Sequence, residues 1–225
     1  RSITAVLLAA IGFTVFAAQA NANVQVELSE GPSSSAPATL VAGGHPDLAL
    51  RMSFPDFNSE SVRNVDVDLP AGMIGNPAAT RVCTITEVNS DDGCPKETQI
   101  GTVAVNAKVV LPEDKLGLLA TIGNLILPEQ VIQGKLFNME PAELFDNKTP
   151  NDHSDDRYIK SRTGRPAAIA ARLVSDLNQP PLLEVDPITT VANWKLRAPG
   201  DYGLTNELRD MPNSTILDGA LIRLI

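Results

Sequence analysis

Aromatic side chains are scarce, at 4% of 225 residues, with a single tryptophan, Trp194. Sites that stack bases on aromatic platforms have little to draw on. Basic residues are outnumbered, with 18 Lys and Arg against 27 Asp and Glu and a net charge of −9. They form no stripe, and phosphate binding needs clustered positive charge, so no nucleic-acid partner is expected. There are two histidines and two cysteines. No CxxC spacing, EF-hand spacing or GxSxG elbow occurs, so no cofactor and no catalytic residue is expected. Beyond the N-terminus no window is apolar for the about 20 residues that a membrane-spanning helix requires.

The N-terminus carries the clearest signal. Arg1 precedes an uncharged apolar run, Ile3 to Ala18, followed by Ala18-Gln19-Ala20 and Ala20-Asn21-Ala22. A basic start, a short apolar core and small-x-small ends are the pattern of a secretory signal peptide. The reading is a signal peptide at 1–22, a mobile leader at 23–40 and a β-rich extracellular domain at 41–225. The competing reading keeps the segment as a membrane anchor. With the signal removed, no membrane span is expected.

The remaining chain reads as short strands separated by Gly/Pro turns. Asp47 to Phe54 alternates in part. Ser61 to Leu69 alternates more cleanly, with Val62, Val65, Val67 and Leu69 against charged positions and a slip at Asn64 that suits a bulge. Gln99 to Leu111 is the clearest strand. Leu116 to Val131 reads as strand-turn-strand, with a short helix as the alternative. Lys135 to Met139 is a short strand, and 146–166 reads as a polar loop. Ala167 to Val174 suits helix or strand. Leu182 to Val185, Thr189 to Leu196 and Ile216 to Ile225 complete the set. The fold class is all-β, a sandwich-like module with little helix. The final strand is apolar and has no following turn, so it reads as an edge awaiting a later strand.

Cys83 and Cys94 flank Asn89-Ser90-Asp91-Asp92-Gly93, a turn cluster that lets the chain double back. In an exported protein such a pair reads as a disulfide, closing a loop for about 2–3 kcal/mol of stabilisation. A redox or metal pair would call for closer spacing or more ligands nearby.

Candidate sites are few. His45 and Asp47 have the composition of a base with its orienter but lack a nucleophile, and His45 reads as structural. Asp152, Asp155 and Asp156, around His153, are candidate calcium ligands in a loop that also reads as simply solvated. Asp66 with Asp68, and Glu140 with Glu143, are carboxylate pairs of the kind that hydrolyse glycosides, in a chain where acidic residues are common. Asn147-Lys148-Thr149 and Asn213-Ser214-Thr215 fit the glycosylation pattern.

Several motifs occur together in one order. They are Ala42 to Leu48 (AGGHPDL), Val62 to Pro77 (VRNVDVDLPAGMIGNP), Cys83 with Cys94-Pro95, and Gln99 to Thr102. Phe137 to Pro141, Asp201 to Leu204 (DYGL) and Ile222 to Leu224 follow. The set resembles a group of large secreted actinobacterial proteins without an established function, whose pattern is roughly AGxHPDL, VRDVxVDLPxGxxGNPxATPxCT and CPxxxQVGxxxV. Arg81 replaces the usual proline. The resemblance implies an exported, surface or matrix-like protein. It supplies no catalytic residues, and the family's pattern continues past the last residue here.

The reading is an exported, non-catalytic module, secreted or at the cell surface, that meets an unidentified surface or protein partner. A secreted, calcium-assisted hydrolase is the alternative. N-terminal sequencing of the exported protein is expected to begin near Asn21 or Asn23; a membrane-bound product that keeps Arg1 overturns the signal-peptide reading.

Overall fold

A computed structural model describes residues 23–29, 47–53, 64–111, 125–126, 130–146, 156–174, 187–210 and 215–224. The segments 1–22 and 182–185, expected as signal peptide and strand, lie outside the described residues, as does 116–124. The chain is all-β with almost no helix, as its alternation predicts. The strands are β1 (Asn23–Ser29), β2 (Asp47–Ser53), β3 (Val65–Asp68), β4 (Gln99–Leu111), β5 (Leu125–Ile126) and β6 (Gln130–Met139). They continue with β7 (Ala142–Phe145), β8 (Arg157–Lys160), β9 (Ala168–Val174), β10 (Ile188–Leu196), β11 (Leu204–Leu208) and β12 (Thr215–Leu224). One helical turn, α1 (Ile85–Val88), precedes a 3-10 turn at Lys96–Thr98.

One curled antiparallel sheet runs in the order β1-β2-β12-β4-β6-β9-β10-β11-β3, with β5 beside β4. β7 and β8 form a separate two-stranded ribbon. Leu50 and Met52 near one end of the path and Val67 at the other belong to one buried cluster. Val103, Val105, Ile132, Leu136 and Leu173 fill the middle, with Trp194 packed against them. The curl thus gives the sheet its inner core. Val103 and Val105 point inward while Thr102 and Asn106 are exposed, the period-2 pattern of a half-buried strand.

Four expectations change. The stretch 146–166, expected as a polar loop, holds β8 (Arg157–Lys160), paired with β7. Asn23–Ser29, placed in the mobile leader, pairs along its whole length with β2. Asn64 precedes β3 rather than bulging within it, and its side chain accepts from the Asp210 backbone N–H. The final strand is no open edge. β12 lies between β2 and β4 and is hydrogen-bonded to both, so strands far back in the sequence supply its partners.

A second cluster covers the opposite face of β6, β9 and β10. Phe137, Met139, Ala168, Ala170 and Val191 are buried there beneath Cys83, Val88 and Ala142. The covering segment lies between β3 and β4. Cys83 meets Met139 in an isolated parallel bridge. Its N–H donates to Asn138 O at 2.8 Å, and its carbonyl accepts from Glu140 N at 3.1 Å. The Asn138 amide donates to Pro77 O at 2.8 Å, fixing the preceding loop. Thr84 and Glu87 form a reciprocal capping box that starts α1. Cys83 and Cys94 stand at disulfide distance, sulfurs 2.01 Å and Cα atoms 5.5 Å apart. Just before Cys94, Gly93 has φ +70°, and a Cβ there would collide with the Arg172 guanidinium. That guanidinium donates to Asp91 O at 2.7 Å, tying the cysteine loop to β9.

The ribbon is docked by asparagines. Asn193 exchanges two hydrogen bonds with the Ala142 backbone, and Asn89 does the same with Tyr158. Each side-chain amide takes the place of a backbone partner that the short ribbon would otherwise lack. The Tyr158 hydroxyl donates to Thr189 O at 2.9 Å. Burial, with the neighbouring Asp156 carboxylate, pushes this phenol above its ordinary range.

Both cysteines belong to the covering segment, so their bond closes that segment on itself and does not attach it to the sheet. Cys94→Ser is therefore expected to lower unfolding stability by about 2–3 kcal/mol while the sheet still forms. Urea denaturation with far-UV circular dichroism checks this. An unchanged midpoint, or loss of the β spectrum in water, contradicts it.

Candidate functional site: a polar cleft beside the ribbon

β7 and β11 carry the two acidic side chains around which a cleft is built. Across the ribbon, Glu143 is in register with Ile159, and the chain after β8 turns back over it. Its carboxylate accepts from Ser161 Oγ at 2.8 Å, Arg162 N at 3.0 Å and Arg162 Nε at 3.4 Å. The Ser161 hydrogen bond, opposed by partial desolvation and aided by Arg162, holds the Glu143 carboxyl below its usual range.

Glu207 of β11 is 7% exposed. Arg165 contacts one of its oxygens, while Lys195 Nζ and Arg209 Nη2 approach the other at 3.4 and 3.5 Å. Across the sheet Glu207 is in register with Asp66, an arrangement that repels. Arg209 lies between them and donates to Asp66 at 2.5 Å. A buried charge must be compensated, and Arg165, the least exposed of the three cations, is the partner on which the carboxylate most depends.

Between these groups lies a cleft of about 340 Å³. Its lining includes the apolar Ala142, Leu144 and Val191 and the charged Glu143, Arg162, Arg165, Glu207, Arg209 and Asp210. Acids and arginines line it in equal number, three of each.

The residues singled out in the sequence are mostly elsewhere. His45, Asp152, His153 and Asp155 lie outside the described residues, as do Asn147 and Asn213. Asp47 opens β2 opposite Ser29. Asp156 stands just before β8, and among the described residues no three His, Cys, Asp or Glu side chains converge as a metal site. Glu140 and Glu143 part company: Glu140 accepts from Ile85 N at 3.3 Å in the covering segment, whereas Glu143 enters the cleft with Glu207. Trp194 packs against the inner core. Among the described residues no helix is long and apolar enough to cross a membrane. Sequence reasoning missed Glu207, Arg165 and Arg209. The available signal was a charged residue inside the short apolar-flanked segment Leu204–Leu208.

Asp66 and Asp68 do share a face, and each meets an arginine rather than the other. Arg197 is the partner of Asp68, and it organises the β10–β11 turn. It donates to both oxygens of Asp201 at 2.9 and 2.7 Å, to Leu69 O at 2.8 Å and to Leu204 O at 2.8 Å. Gly203 leaves room for this guanidinium, because a Cβ there would sit 2.0 Å from Nη2. The Asp-Tyr-Gly-Leu motif is thus a mould around Arg197, with Tyr202 exposed at φ +55°.

The Arg197 hydrogen bonds, then that from Gly203 N, pull the Asp201 carboxyl down to about 2. A lowered folded-state value contributes stability above the unfolded value of 3.8 and loses it as pH falls toward 2. A carboxyl NMR titration is expected to place Asp201 near 2 in the native protein and to move it up toward its ordinary value in Arg197→Gln, with the Gly203 N–H still holding it somewhat low. Identical midpoints in the two proteins contradict the assignment.

Compared with known proteins, the chain matches no protein-family model, no curated protein and no solved structure.

Proposed function

We propose that this chain is an exported, non-catalytic β-module, secreted or at the cell surface, that acts by binding through its surface. The signal-like N-terminus supports export, as does the bonded cysteine pair, a linkage characteristic of oxidising compartments. The resemblance to large secreted actinobacterial proteins belongs to the same reading.

The observation that carries the non-catalytic part is the commitment of the cleft carboxylates. General-acid hydrolysis of a glycoside needs one carboxyl kept protonated near neutrality. Glu143 is drawn in the opposite direction by Ser161 and Arg162. Glu207 has both oxygens occupied by cations. Glu143 is thus not placed as a proton donor, and neither cysteine is a free thiol.

A panel of glycosidase, esterase and peptidase substrates, assayed with and without calcium, is expected to show no turnover that depends on the cleft. Turnover abolished by Glu143→Gln or His45→Ala would establish the hydrolase reading instead.

A further inference from the structure

We infer that the cleft between the β7–β8 ribbon and β11 is a binding site for a neutral, hydroxyl-rich ligand, a saccharide unit. The inference rests on the reading of the chain as a surface-binding module and gives that module its ligand class.

Charge balance selects the class. An anion entering the cleft meets the carboxylates of Glu143, Glu207 and Asp210; a cation meets the guanidinium groups of Arg162, Arg165 and Arg209. Neither sign is favoured, although the whole chain carries a net charge of −9. A neutral group that both donates and accepts is suited to the wall. Each guanidinium has five N–H donors and each carboxylate about four acceptor positions, so internal pairing leaves capacity on both. Adjacent hydroxyls can accept from an arginine and donate to the neighbouring acid. Glu143 and Glu207 are already held by their partners, which lowers the ordering cost of binding.

Shape agrees. The cleft, at about 340 Å³, is at the small end of ligand sites. Leu144, half-buried in the lining, is the aliphatic side chain that can meet the C–H face of a sugar ring. Trp194 is committed to the inner core, so the aromatic ring in the lining is that of Tyr158, beside the planar polar groups. Affinity is then weak, on the order of millimolar.

Saturation-transfer NMR on the exported protein with cellobiose, maltose and lactose tests this, with glucuronate and glucosamine as charged probes. Transfer to at least one neutral disaccharide is expected, with affinity falling about tenfold in Arg162→Ala and in Asp210→Asn. Arg162 has 82% of its side chain exposed, so its removal leaves the fold intact. The inference is overturned by no transfer to any neutral disaccharide, by unchanged affinity in both variants, or by stronger binding of either charged probe. Such a failure leaves the surface-binding module standing. Cleavage of a bound disaccharide has the opposite effect, upholding the saccharide cleft and ending the non-catalytic reading.

Discussion

The bridge between Cys83 and Met139 is the constraint on which the outer half of the molecule depends. One residue of the loop segment takes the hydrogen bonds of a strand beside the end of β6. It thereby sets the covering segment over Phe137, Ala168, Ala170 and Val191. Those side chains point away from the inner core and would otherwise face water. Burying apolar surface on both faces of β6 and β9 makes the middle of the sheet its most protected part. Phe137, Met139 and Val191, the larger side chains so buried, are each worth about 1.5–3 kcal/mol. Several such side chains together outweigh the short disulfide loop, whose contribution lies within the covering segment.

The ribbon completes this outer layer and turns it into a site. It docks through Asn89 and Asn193 and through buried Ala142 and Tyr158. Its far side stands off from β11, and the gap is the cleft. The same contacts that close the hydrophobic cluster therefore define the polar wall. Glu207 is buried at this boundary among three cations, and those cations shape the opening.

Where one face of a strand meets water, the sequence was legible. β4 shows its alternation plainly, and its bounds, Gln99–Leu111, agree with the reading from residues alone. Ala168–Val174 was ambiguous because both of its faces are covered: Ala168 and Ala170 turn outward beneath the covering segment, while Leu173 turns into the curl. A strand buried twice loses its period and reads as a plain apolar run. β7 and β11 were missed for a different reason. Glu143 and Glu207 occupy positions where a core strand would carry apolar groups, so the cleft erases the pattern that would reveal its own walls. Their partners come from other strands and turns, and spacing along the chain cannot pair them. The Thr84–Glu87 capping box stands in the sequence as a Thr-x-x-Glu pattern, but the helix it starts is a single turn, too short to show a helical period.

The place of β12 has a consequence for how the molecule comes into being. A strand formed by residues 215–224 fills the gap between β2 and β4, whose residues precede it by more than a hundred positions. During synthesis the earlier strands are made long before the one that joins them. Until residue 224 has emerged, the β1–β2 pair has no route into the main sheet, because that route runs through β12. The nascent chain is thus obliged to stay incomplete until late. The order of synthesis thus sets the order of closure, and the sheet becomes continuous only when β12 takes its place between β2 and β4.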